Sequence, residues 1–242
     1  MSTILSHALS EGEFETLIAW LMQGEDKNNR CGIIRADRAM LYQVALGTGF
    51  RQQGLLSLTP ASFHVAPKLT RPFIVLGAQF NKNRTDREQP IRRDLANAIH
   101  DWLMGRRLLA DRAVWAARPH ADLALRFRND IAGARAAWIS AGATPAERKK
   151  RAESTFLRYV YDDGRGNVWA DFHSLRHTGI TLVARGSDLR AAQAWADHST
   201  PVLTAKYRHL DLMDEARVLG ALPGPAGARG ERKPNEPQGD AG

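Results

Sequence analysis

The chain has 242 residues, 43% of them hydrophobic, with 34 Lys and Arg against 26 Asp and Glu and a net charge of +8. That length and apolar fraction suit one sizeable domain, and the basic balance fits a polyanionic partner, most commonly nucleic acid. The single cysteine, Cys31, excludes an intramolecular disulfide and any multi-cysteine zinc site, and fits a reducing cytoplasm. No basic-then-apolar leader opens the sequence and no run of about 18 apolar residues occurs, so neither a signal peptide nor a membrane span is expected.

Ser10 and Glu13 form an S-x-x-E capping box, followed by Phe14, Leu17, Ile18 and Leu21 at helical spacing. After a polar loop, residues 36–47 predict a second helix with Leu41, Val44 and Ala45 on one face, closed by Gly49 as a left-handed C-cap. A short helical turn follows and stops near Pro60. The segments SFHVAP, RPFIVLGAQF and REQPI read as short strands of a small antiparallel sheet. Residues 92–104 return to helix with a Leu95, Ile99, Trp102, Leu103 stripe, and 119–140 is a helix rich in arginine. Residues 142–154 suit a basic surface helix, and 159–172 a hairpin around Asp163–Gly164. Helices are expected over 173–185, 188–196, 201–207 and 211–220. From 221 to 242 the chain is rich in Gly, Pro and charge and is expected to be a disordered tail. The fold class is mainly α with a small antiparallel β-sheet.

The segment FHSLRHT, residues 172–178, opens one of these helices with two imidazoles and a guanidinium. His173 and His177 are spaced i, i+4, as metal ligands can be. A zinc hydrolase of the H-E-x-x-H type needs Glu after the first His, however, and Ser174 stands there. Arg176 would also repel a metal ion. His173 and Arg176, spaced i, i+3, share a face in the first helical turn, where free N–H groups and the helix dipole favour an anion. Arginine adds a fork that matches two phosphate oxygens. A lone H-x-x-R is more often a solvated helix end, and His177 reads as a packed or hydrogen-bonded imidazole. Downstream, His198 is followed nine positions later by Tyr207 between Lys206 and Arg208. A tyrosine needs nearby cations or a base to react at neutral pH; otherwise it is a core or rim residue.

Taken in order, these pieces resemble the tyrosine recombinases, or phage-type integrases: TGFR with Arg51, NKNR with Lys82, HSLRH with His173 and Arg176, DHS with His198, and KYRH with Tyr207. The resemblance covers about residues 10 to 220 and implies the catalytic domain of that family, a DNA breaking-rejoining enzyme fold, over 1–220. Within the family the likeness is to integrases of bacterial mobile elements. Two positions depart from the family pattern. A Glu often found three residues after the first Arg is Gly54 here, and the usual Gly before the second His is Asp197. The helical core-binding domain that usually precedes the catalytic domain is expected to be absent.

The resemblance implies strand transfer on double-stranded DNA without metal, other cofactor or small-molecule substrate. Tyr207 is the implied nucleophile, forming a 3′-phosphotyrosyl bond and releasing a 5′-hydroxyl. Arg51, Arg176 and His198 would hold the non-bridging oxygens. Lys82 would protonate the leaving oxygen, with Arg84 and Arg87 as competitors for that role, and His173 would take the tyrosine proton. The basic residues of 145–151 would contact backbone phosphates, or simply form a solvated face. A homotetramer on synapsed DNA is implied, with 211–220 as a helix passed to a neighbour through Leu212, Met213 and Val218, or packed on its own domain. The expected location is cytoplasmic, at the bacterial nucleoid. A type IB topoisomerase-like nicking-resealing enzyme and an inactive DNA-binding remnant are the alternatives.

Overall fold

The computed structural model describes residues 5–6, 8–24, 31–81, 83–115, 117, 122–164, 166–186, 195, 219–220 and 222–224. Its first helix, α1 (Glu11–Met22), begins at the capping box that the sequence announces. The Ser10 amide donates to Glu13 Oε2 at 2.8 Å, and the Glu13 amide donates to Ser10 Oγ at 3.3 Å. Glu13 is itself buried, and its other oxygen accepts from the Leu157 amide at 2.7 Å. One carboxylate therefore caps a helix and pins a distant turn, where Leu157 is held at φ 54°.

The second helix, α2 (Arg35–Thr48), is buried from Arg38 to Thr48, on every face rather than the single expected one. It is the central helix: α1, α4 (Arg93–Met104) and α7 (Ser174–Gly186) all pack against it. Between α2 and α4 lie the short α3 (Gln52–Ser57) and a three-stranded antiparallel sheet of β2 (Phe63–His64), β3 (Phe73–Leu76) and β4 (Arg87–Pro90). In β3, Ile74 and Leu76 turn inward by the two-residue alternation of a half-buried strand. The expected helix at 119–140 is α5 (Leu123–Ser140), capped by Asp122 and packed on α1. The expected basic surface helix is α6 (Pro145–Glu153), with Thr144 as its cap.

The hairpin expected around Asp163–Gly164 is β5 (Val160–Asp162) with β6 (Asn167–Trp169), and Gly164 has φ 88°. The third strand that makes this hairpin a sheet was not legible in the sequence. Residues Leu5–Ser6 form β1, which pairs in parallel with β6 at Leu5–Val168 and Ser6–Trp169. A strand of two residues is too short to carry an alternation, so only its partner reveals it. The described residues thus hold two three-stranded sheets on a helical body, and one of those sheets contains a parallel pair.

The helices expected at 188–196, 201–207 and 211–220 fall mostly outside the described residues. Of the stretch read as a tail, residues 222–224 lie on the body. Leu222 is 2% exposed, and the Arg92 guanidinium donates to its carbonyl.

Candidate active site

The site is built where α2 ends and α7 begins. Gly49 closes α2 with φ 65° and ψ 17°, a left-handed cap that a side-chain-bearing residue adopts only with strain. The cap reverses the chain, so Phe50 tucks into the core while the next residue, Arg51, stands exposed at the start of α3. From the other side, α7 starts in a turn held by Asp171, whose carboxylate accepts from the Ser174 amide at 2.9 Å. Arg176, in the first turn of α7, is 5% exposed, and its Nη1 donates to the Gly49 carbonyl. A bond between residues 127 apart thus ties the two motifs together.

The two segments and α5 enclose an open cavity of about 340 Å³. Arg51, His173 and Arg176 line it with Gln52, Gln53 and Asp171, over a floor that includes Phe50 and Phe172. Two guanidiniums and an imidazole therefore converge from segments more than 120 positions apart. His173 is exposed at the mouth, and its ring meets His177 edge-on at 4.9 Å between centroids. Partial burial, then the neighbouring His177, Arg176 and Arg51, hold its pKa below the ordinary imidazole value, against the opposing pull of Asp171. Burial also lowers His177, which fits its reading as a packed ring. Near neutral pH, His173 is therefore an uncharged base beside two fixed cations. That arrangement can hold a phosphodiester and accept a proton.

The floor is braced from below. Phe172 packs edge-on against Tyr42 and Phe127, with centroids 5.9 Å apart in both pairs. Tyr42 donates to Asp130 Oδ2 at 2.7 Å, and Arg38 grips the same carboxylate through two bonds of 2.7 and 2.9 Å. Burial and the Asp130 charge push the Tyr42 phenol well above its usual pKa, so it serves as a donor. This buried ion pair was not expected from the sequence. Arg38 and Asp130 lie 92 positions apart on helices whose other residues follow ordinary apolar patterns.

Of the six expected site residues, the structure brings Arg51, His173 and Arg176 together. Lys82, His198 and Tyr207 lie outside the described residues, as does Asp197. The strands on either side of Lys82 are described, and of its two competitors Arg84 is exposed at φ 52°. Arg87 is engaged: it donates to Gln89 Oε1 and to the Trp195 carbonyl. Gly54 packs on the sheet, and a Cβ there would stand 3.0 Å from Leu76 Cδ1. Among the described lining residues the carboxylate is Asp171. Asp171, Gln52 and Gln53 were not singled out in the sequence, although each adjoins a residue that was.

In the basic run of α6, Arg148 donates to the Gly142 carbonyl and Arg151 to the Trp138 carbonyl, while Lys149 and Lys150 are exposed. Among the described residues no group of three or more His, Cys, Asp or Glu is placed to hold a metal ion, and no helix is long and apolar enough to cross a membrane.

Comparison with solved structures finds the same architecture in tyrosine recombinases. The XerH site-specific recombinase, in a pre-cleavage complex with its difH substrate, superposes with a TM-score of 0.54 at 19% identity, over 89% of this chain and 55% of that one. Its post-cleavage complex gives 0.52 at 19% identity over 90% and 52%. The Tn1549 transposon integrase in complex with transposon right end DNA gives 0.50 at 16% identity over 89% and 65%. These likenesses establish the fold. This chain spans about half the length of the XerH recombinase it matches. No curated protein matches it in sequence. The family model for the phage integrase family matches residues 9–213, and the chain belongs to that family.

Proposed function

We propose that the protein is a tyrosine-type site-specific recombinase that cuts and rejoins double-stranded DNA. The observation that carries this reading is the convergence of Arg51, His173 and Arg176 on one open pocket. Tyr207 attacks the scissile phosphorus, its phenolic proton passes to His173, and the bond from phosphorus to the 5′-oxygen breaks. Lys82 supplies the proton to the leaving oxygen. Arg51, Arg176 and His198 hold the non-bridging oxygens, whose charge grows in the transition state. The 3′-phosphotyrosyl link keeps a reactive phosphodiester, so the 5′-hydroxyl of a second strand reverses the step on a new partner. No metal or nucleotide is needed for this balance.

Integrases of mobile elements use such exchange, and the likeness to the Tn1549 transposon integrase supports a role in moving an element. A homotetramer on synapsed DNA at the nucleoid of a bacterial cytoplasm completes the proposal. The test is covalent trapping on nicked duplexes drawn from the flanks of the gene. A denaturation-resistant DNA–protein band that disappears in Tyr207→Phe supports the reading. A band that survives in that variant overturns the assignment of the nucleophile.

A further inference from the structure

We propose that Arg87 is a positioning residue for strand cleavage: it sets the β3–β4 hairpin, which carries Lys82 in its connection, in register with the Arg51 pocket. The inference rests on the proposed roles of Tyr207 and Lys82, and it begins from what Arg87 touches. Arg87 opens β4 opposite Leu76, the pair from which the connection leaves the two strands. Its guanidinium lies 5.4 Å from the centre of the Phe50 ring, the residue before Arg51. Its Nη2 donates to the buried Gln89 and to the Trp195 carbonyl, at 2.5 Å for the latter. Trp195 stands three positions before His198 and is 6% exposed. Its ring lies so close to Gly49 and Gly179 that a Cβ on either would stand 3.0 or 2.8 Å from it. One side chain thus joins the hairpin, the corner that presents Arg51, and the segment leading to His198.

The connection itself is internally braced. The Ala78 amide donates to Asp86 Oδ1, Asn81 Nδ2 to the Thr85 carbonyl, and the Arg84 amide to the Asn81 carbonyl. These bonds tie the described residues on both sides of position 82 to one another, and the anchor at Arg87 ties them to the body. Arginine suits this post because its plane can lie near a ring while its edge donates twice; lysine has no such plane.

General acid catalysis typically contributes about 10²–10⁴-fold, and a misplacement near 1 Å can cost about 10². A substrate whose scissile 5′-oxygen is replaced by sulfur releases a thiolate, which needs no proton to leave. The experiment measures the rate of Tyr207–DNA adduct formation on matched oxygen- and sulfur-bridged suicide duplexes, for wild type, Arg87→Ala, Arg87→Lys and Lys82→Ala.

The expected result is a loss of about 10²-fold on oxygen for Arg87→Ala, shrinking to less than about tenfold on sulfur, as for Lys82→Ala. Arg87→Lys should show the same pattern with a smaller loss, so a folding failure of the alanine variant would not decide the matter. Equal slowing on both substrates, or no slowing in either variant, overturns the proposal and leaves the recombinase reading standing. A wild-type protein that forms no Tyr207 adduct on either duplex overturns both.

Discussion

Arg176→Lys separates a structural from a chemical role at the centre of the pocket. The side chain is 5% exposed and bonds the Gly49 carbonyl, so the substitution disturbs both the left-handed cap and the proposed phosphate grip. Leaving a buried carbonyl unpaired costs about 1–3 kcal/mol. Domains of this kind have about 5–15 kcal/mol of stability. Even the worst pairing, 3 kcal/mol taken from 5, leaves roughly 2 kcal/mol and a folded fraction above about 95%. Unfolding therefore removes only a few per cent of activity. Losing a donor to a transition-state oxyanion costs about 10²–10³ in rate. The expected outcome is a urea midpoint lowered by the smaller amount and adduct formation slowed about 10²–10³-fold under conditions where the variant is fully folded. Trapping at the wild-type rate, or a rate loss that follows the unfolded fraction, would refute the clamp.

Other outcomes follow from the same geometry. Asp130→Asn leaves the Arg38 charge buried without its partner and should cost about 3–5 kcal/mol in chemical denaturation, whereas Tyr42→Phe should cost about 1 kcal/mol. Gly179→Ala places a Cβ 2.5 Å from the Leu46 carbonyl, so α7 must move from α2, and both the melting temperature and the adduct rate should fall. Since the His173 pKa is depressed in the folded protein, its neutral form persists below the usual imidazole value. The acid limb of the adduct rate should therefore lie below pH 6.5 and disappear in His173→Gln. The same shift makes His173 destabilise the fold on acidification: the unfolded chain binds the proton more tightly, so stability is full above pH 6.5 and declines as pH falls through the depressed value. A His173→Gln protein should lose less stability between pH 7 and pH 5, measured by urea titration at each pH.

Local chemistry made much of this legible from the sequence. The Ser10–Glu13 box, the Gly49 cap and the Asp163–Gly164 hairpin turn each depend on neighbours in the chain, and each is present. The grouping of Arg51 with His173 and Arg176 was reachable only through resemblance, because nothing local links residues more than 120 positions apart. The Arg38–Asp130 pair was hidden for a related reason. Its partners look like ordinary surface charges until α2 proves to be buried on all sides. In the sequence Arg87 is one more cation near Lys82 and reads as a competing proton donor. Its contacts with Trp195 and Phe50 exist only in the folded chain.

On the proposed function, this pocket serves a tyrosine that becomes covalently joined to DNA. The most direct measurement is to digest the trapped complex with protease and nuclease and identify the nucleotide-bearing peptide by mass spectrometry. The expected product is the peptide that contains Tyr207, linked through a 3′-phosphate, formed about 10²–10³-fold more slowly by the Arg51→Ala and Arg176→Lys proteins. A link to any other residue, or a 5′-phosphate link, would contradict it.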